Sequence, residues 1–465
     1  RTKLVALILG PAGMGLASLL NTAVNFLSQS TGLGLSFGAV RHLAEVAAAG
    51  DQGRLRRFVL TVRSWSIAAA LLGAVACVAA SPALSLWLFG SAGHAFDIMA
   101  LAPAVGMGAL TVGETALLTG TRRLKRLASV QVAMALASLL VAVPVYLAIG
   151  IKGVIPVILL VALANLVITA GASRRMFPFT FRGAWASLAD GSTMVRLGVA
   201  YTLSGVFGTG AEMMIRSYIN TDADLAAVGL YNAGYMITVT YAEMVFSALG
   251  ADFLPRLSAV NTDAGAVSRA VNREVEVLLL LVSPLLTALM AVLPWVFPLL
   301  FSSKFTPVVP MVQVAVLSVY ARAVLLPVTI ITLAKGHSRA FLVTEGLSAV
   351  GLVTFVVLFF DRWGLTGAGV GVLLSNVFDL AVILVYASVR YRFRLSRRTI
   401  ATAAVHLPIG AAAYMATLAP ALWLRLVLGA ACFAAGAALS LRVLCRETSL
   451  SEKLKKLFSA KKKPD

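Results

Sequence analysis

Apolar runs of about 20 residues follow one another along this chain, and the charged residues collect in the short segments between them. As a helix, a run of that length crosses the roughly 30 Å of hydrocarbon in a bilayer. Hydrocarbon offers a bare peptide group no hydrogen-bond partner, so spanning segments must be helices or the strands of a closed barrel. The strict alternation a barrel needs is absent. Only 12% of the residues are charged, against about 25% in a soluble domain. The chain therefore reads as an all-α polytopic membrane protein. We expect about 13 full spans, from 13–34 to 420–441, after a first helix that is truncated before Gly10-Pro11.

The formal net charge of +20 suggests a polyanion as partner until its placement is examined. Alternate loops and the tail hold clusters such as Arg54-Leu55-Arg56-Arg57, Arg122 to Arg126, Arg390 to Arg398 and Lys453 to Lys463, whereas the opposite loops hold only Lys152, Lys304, Arg362 and Arg425. That asymmetry is the positive-inside pattern of a membrane protein. It places the basic loops, and both termini of the parent chain, on the cytoplasmic side of a bacterial inner membrane, and it removes any need for a nucleic-acid partner.

The chain is also written twice. Gly15-Leu16 returns as Gly229-Leu230, and Gly150-Ile151-Lys152-Gly153 as Gly364-Leu365-Thr366-Gly367, both 214 positions on; Gly120 with Arg123 returns as Gly336 with Arg339, 216 on. Duplicated sets of spans are a hallmark of transporters. An even number of spans per copy gives parallel repeats, related by a pseudo-twofold along the membrane normal. The expected organisation is a six-helix lobe over 1–180, a second over 195–395, an extra transmembrane hairpin over 400–442 and a basic cytoplasmic tail over 446–465. Ser449 and Glu452 are spaced as a capping box at the start of an amphipathic tail helix that can meet anionic headgroups.

Soluble-enzyme chemistry finds no footing. There is no P-loop, no HExxH, no metal spacing among the four histidines and no CxxC among the three cysteines. An enzyme, a metal centre and a cofactor are not expected. Charges inside spans carry the functional signal, because each costs at least about 2.5 kcal/mol near the bilayer centre. The basic ones are Arg1, Lys3, Arg63, Arg216 and Arg322, and the acidic ones are Glu114, Glu212, Glu243, Glu345 and Asp379. Arg322 lies mid-span, five residues before Pro327, which is expected to kink its helix. The 214 offset sets Arg216 level with Arg1 and Lys3, which reads either as one tier of cations or as snorkelling to the outer interface. Arg63, at a helix start, reads as snorkelling. Glu212 and Arg216 are spaced to neutralise one another. Asp379 aligns with Asn165 and Glu345 with Gln131, a pattern that suits a lined cavity and equally suits hydrogen bonds between helices. The acids are candidates for ion coupling or for pairing with basic neighbours.

The stretch Lys3-Leu-Val-Ala-Leu-Ile-Leu-Gly-Pro-Ala-Gly-Met-Gly15, then Gly32-Leu-Gly34 and Arg41-His-Leu-Ala-Glu45, resembles the polysaccharide-transporter branch of the MOP superfamily, and within it the O-antigen (Wzx-type) flippases. The final hairpin departs from that branch's usual twelve-span plan and is more like the lipid II flippase branch. The resemblance implies alternating access, with a polyisoprenyl-pyrophosphate-linked oligosaccharide carried from the cytoplasmic to the outer leaflet, and glycan-assembly proteins and membrane lipids as partners. A pyrophosphate wants cations in a low-dielectric cavity, and Arg1, Lys3, Arg216 and Arg322 are the expected substrate contacts in a cationic central cavity. Glu114, Glu212, Glu243, Glu345 and Asp379 are expected as coupling or cavity groups. They also keep open a proton- or sodium-coupled multidrug exporter of the same superfamily. A membrane-embedded glycan polymerase or ligase would want a large outer loop, and every inferred outer loop is short.

Overall fold

The computed structural model describes residues 2–178, 192–250 and 253–447. Arg1 and the tail helix expected from Ser449 lie outside the described residues. Two compact units are present: Arg1–Asn232 with Leu300–Phe305, and Ala233–Leu299 with Thr306–Asp465. Among the described residues every regular element is helical. The first unit holds α1 (Thr2–Thr31), α2 (Leu35–Ala48), α3 (Gln52–Phe89), α4 (Ala95–Met99), α5 (Ala102–Gly120), α6 (Leu124–Ile149), α7 (Val154–Arg174), α8 (Ser192–Asp222) and most of α9 (Leu225–Tyr235). The second holds α10 (Ala242–Gly250), α11 (Phe253–Ala259), α12 (Ala264–Leu300), α13 (Val309–Val316), α14 (Ser318–Ala334), α15 (Ser338–Tyr391), α16 (Arg397–Thr417) and α17 (Leu422–Glu447). A π-helical stretch, Met236–Tyr241, joins α9 to α10.

Among the described residues, seven helices are long and apolar enough to cross a membrane, or nine when each of two bent pairs forms one span. The protein is a multi-pass membrane protein. Two of the seven exceed one crossing. The 54 residues of α15 would run about 80 Å if straight, more than twice the hydrocarbon thickness. The helix is broken at Trp363 and at Gly364, whose φ/ψ is 56/−137. The 50 residues of Lys125–Arg174 are broken likewise at Gly150, with φ/ψ 57/−134. Gly150 and Gly364 are repeat partners 214 positions apart, and they share a backbone conformation open in practice only to glycine.

The end of α5 corrects one alignment made from sequence. The amide of Arg122 donates to the Thr119 carbonyl at 3.0 Å and that of Arg123 to Leu118 at 3.1 Å; at the end of α14, Gly336 donates to Leu333 at 3.0 Å and His337 to Thr332 at 2.9 Å. Every partner differs by 214. This is the Schellman closure of a helix, with Arg122 (φ 54) and Gly336 (φ 71) in its left-handed position. The true partner of Gly336 is therefore Arg122, and the match to Gly120 at 216 was a coincidence of glycines. The expected kink at Pro327 is also displaced. Pro327 sits inside α14, and the 45° bend lies between Val316 and Ser318.

The repeat-matched glycines Gly15 and Gly229 meet each other. A Cβ on Gly15 would stand 1.8 Å from the Leu225 carbonyl oxygen, and one on Gly229 would stand 1.9 Å from that of Pro11. Pro11 and Leu225 are themselves 214 apart, so the crossing of α1 and α9 is reciprocal, with backbone against backbone. The close approach also fixes the break before each segment: Gly10 (φ 67) interrupts α1 ahead of Pro11, and α8 ends at Asp222 just before α9 begins at Leu225. Neighbouring chain ends are closed by side chains. Asn220 Nδ2 on α8 donates to the Leu88 carbonyl at 2.9 Å and Ser217 to that of Trp87, satisfying orphan carbonyls at the end of α3. Asp51 caps the start of α3 through the Arg54 amide at 3.0 Å, and that bond holds its carboxyl below the usual carboxylate range.

Gly15→Leu or Gly229→Leu should drive the α1 and α9 backbones apart at a cost of about 3 kcal/mol or more, whereas Gly108→Ala, whose Cβ would meet only Ser28 Oγ at 3.6 Å, should be tolerated. Thermal unfolding of the detergent-purified variants measures the difference.

Candidate functional site

A cavity of about 640 Å³ lies within the first unit, inside the range of small-ligand sites. Its polar walls come from Asn21, Asn25, Ser28 and Gln29 on α1, Asn165 on α7 and Glu212 on α8, and Gly108 on α5 leaves part of the space open. Asn21, Asn25 and Ser28 are spaced four and three apart, which stacks them on one face of a helix. Carboxamides and hydroxyls offer donors and acceptors on the same group, so this face presents a neutral hydrogen-bonding surface within an apolar bundle. Asn165 Oδ1 is buried without a hydrogen-bond partner. No Lys or Arg is among the described lining residues.

The expected cation of this unit stands just behind the wall. Arg216 is 4% exposed; its Nη1 donates to Glu212 Oε2 at 2.8 Å and its Nη2 to Asn232 Oδ1 at 3.2 Å. Glu212 thus holds Arg216 from one side while lining the cavity on the other. Lys3 is exposed on the first turn of α1.

The second unit carries the charged version of the same place. Arg322 on α14 donates through Nη2 to Glu243 Oε1 at 2.6 Å, and Glu243 follows directly on the π-helical stretch. Glu345 is within electrostatic range of Asp379, Arg322 and Glu243, and Ser348 hydrogen-bonds the Asp379 carboxyl group. One carboxylate therefore pairs with the guanidinium, and two more lie within electrostatic range of it. Subtracting 214 turns Glu243, Arg322 and Asp379 into Gln29, Gly108 and Asn165, and all three line the cavity of the first unit. Asn165 Oδ1 and Asp379 Oδ1 share the same condition, buried without a partner. Where the second copy has a long arginine, the first has Gly108, which lines the cavity.

Arg63 and Glu114 meet elsewhere in the first unit. Nε of Arg63 donates to Glu114 Oε1 at 2.8 Å and Nη2 to Oε2 at 3.2 Å, and further bonds go to the carbonyls of Phe177 and Pro178. Ser173 donates to the same carboxylate. The snorkelling expected of Arg63 is not what occurs: the side chain is 9% exposed, because a carboxylate on α5 and two carbonyls after α7 satisfy the guanidinium better than a reach to the interface. Sequence reasoning centred on charges passed over Asn21, Asn25, Ser28 and Gln29. Their signal was the polar stripe at helical spacing along an otherwise apolar α1.

Helix order and polar interior define the class: the protein is a multi-pass α-helical membrane protein with the fold of solved MOP superfamily transporters. It belongs to the family described as polysaccharide biosynthesis protein, whose model matches residues 4–310. No curated protein matches the chain. Among solved structures, the inward closed conformation of the lipid II flippase MurJ is similar at a TM-score of 0.62 and 11% identity, covering 95% of this chain and 99% of that one. An inward-facing multidrug resistance MATE family transporter is similar at 0.62 and 15%, covering 84% and 95%. A Pyrococcus furiosus MOP superfamily transporter, titled for the reversed polarity of its binding pocket, is similar at 0.57 and 13%, covering 83% and 95%. At these identities the likeness is one of fold.

Breaking a buried pair strands its partner charge, so Glu114→Ala should lower unfolding stability by about 3–5 kcal/mol. Glu45→Ala, in the exposed Arg41–Glu45 pair, should cost no more than about 0.5 kcal/mol. Unfolding curves of the two variants in the same detergent check the contrast.

Proposed function

We propose that the protein is a flippase that moves a polyisoprenyl-pyrophosphate-linked oligosaccharide from the cytoplasmic to the outer leaflet of a bacterial inner membrane. The observation that carries this reading is the amide-rich cavity of about 640 Å³, whose one described charged lining group, Glu212, is paired with Arg216, in a chain of the polysaccharide biosynthesis family. Sugar hydroxyls both donate and accept, and they match carboxamides better than a field of fixed charge does. In this reading Asn21, Asn25, Ser28, Gln29 and Asn165 hold sugar. Lys3, Arg216 and Arg322, with Arg1 beside Lys3 in sequence, supply the cationic side of the pathway, and Arg216 acts through its grip on Glu212 and Asn232.

The finer architecture belongs to the same proposal: fourteen spans, two six-helix lobes related by a pseudo-twofold along the membrane normal, and a final hairpin. Alternating access then carries the headgroup while the isoprenoid stays in lipid. An inside-negative membrane potential favours outward passage of an anion by about 2.3 kcal/mol per charge per 100 mV, which drives transport without ATP. Glu243, Glu345 and Asp379 around Arg322 also favour a second reading, proton- or sodium-coupled export of small cations, in which one of these carboxylates carries the coupling ion.

Gly108→Leu should fill the cavity and abolish glycan export in a flippase-deficient cell while Gly108→Ala exports normally; full export by Gly108→Leu would remove the cavity from the pathway. Arg322→Ala should likewise abolish export with membrane insertion intact. Uptake of a cationic dye by proteoliposomes, with no transfer of a lipid-linked sugar, would decide for the second reading.

A further inference from the structure

A second cavity, of about 610 Å³, opens in the other unit where α12 begins and the chain turns from α15 into α16. Four arginines line it, Arg269 and Arg273 from α12, Arg394 from the linker and Arg398 from α16, with one acid, Glu276. Their neutralisation is partial. Glu276 accepts from Arg398 Nε at 3.2 Å and from the Thr399 hydroxyl at 2.8 Å. Asp263 stands 3.8 Å from Arg269. Among the described residues, Arg273 and Arg394 make no ion pair, and both are exposed.

The walls are built to hold one shape. Buried Asn272 donates to the Arg394 carbonyl at 3.0 Å and accepts from the Ser396 amide at 2.7 Å. Ser396 in turn caps α16 by accepting from the Thr399 amide at 3.0 Å. One buried carboxamide thus fastens the linker that carries Arg394 and Leu395 to the helix that carries Arg269 and Arg273. The 21-residue α16 starts at this cavity, and its positive dipole end adds to the field of the arginines.

We propose that this cavity binds the phosphate of a lipid headgroup. Several guanidiniums around a rigid pocket match the oxygens of a phosphate through paired N–H donors. The setting makes the phosphate lipid-borne: both α12 and α16 are apolar enough to cross the membrane and both begin at the cavity, which puts its mouth at headgroup depth on the basic side of the protein, where such pockets meet anionic lipids. The phosphate can belong to an anionic phospholipid or to a polyisoprenyl phosphate, and the chemistry of recognition is shared. The proposal stands apart from the glycan pathway, since none of these residues lines the first cavity.

The test is a lipid titration of the purified full-length protein, read by native mass spectrometry, with phosphatidylglycerol, phosphatidylcholine of the same chains and a polyisoprenyl phosphate. The double variant Arg273→Gln/Arg394→Gln is compared with Arg56→Gln/Arg57→Gln, which removes the same charge from exposed positions on α3. The cavity variant should lose about tenfold in affinity for the lipid phosphate that occupies the site, and the α3 variant should bind as the parent does. Dependence of phosphatidylglycerol binding on Arg273 and Arg394 assigns the site to a phospholipid, and dependence of the polyisoprenyl phosphate alone assigns it to the carrier. An equal loss in both variants, or no loss in the cavity variant, overturns the proposal. Unfolding midpoints that match the parent's show that the exposed substitutions leave the fold intact.

Discussion

Where α1 crosses α9, two helix backbones touch with no side chain between them. Gly15 lies against the Leu225 carbonyl and Gly229 against that of Pro11. In lipid there is no hydrophobic force to press helices together, so association depends on close packing, and small residues let backbones approach. In the same unit α1 also packs against α3, α5 and α8. The glycine crossing sets the register of α1, whose polar stripe from Asn21 to Gln29 follows one and a half turns later, against the unit that α8 and α9 complete.

Duplication gave the chain two copies of one site, and substitution made them different in kind. Gln29, Gly108 and Asn165 in one copy answer to Glu243, Arg322 and Asp379 in the other. The amide version is a cavity whose one described charged lining group, Glu212, is paired with Arg216. In the charged version Arg322 pairs with Glu243 across 2.6 Å. Charge within a span is costly unless it is paired or faces water, and Glu243, more than half exposed, meets that condition on both counts.

Much of this was legible from residues alone because hydrocarbon leaves so few choices. Apolar runs of spanning length had to be helices, and basic residues had to gather on one side. The 214-residue displacement of Gly15 and Gly150 was visible directly. The backbone of Gly150 and Gly364 then agreed to within a few degrees, with φ of 57° and 56°. Arg122 as the partner of Gly336 was invisible, since an arginine and a glycine share nothing but the left-handed conformation that each adopts at a helix end. The candidate site was half legible. Arg216 with Glu212 followed from their spacing on one helix, while the Arg63–Glu114 and Arg322–Glu243 pairs join residues 51 and 79 positions apart.

By itself the sequence determined the solvent of this protein and its helical class, because both follow from the cost of exposing backbone or charge to lipid. Only the tertiary structure decided which charges are spent on pairing and which polar groups face open space. Those outcomes depend on distances of a few ångströms between helices far apart in the chain, such as the 2.8 Å between Arg63 on α3 and Glu114 on α5. Residue type and spacing do not encode such distances; the packing of backbones does.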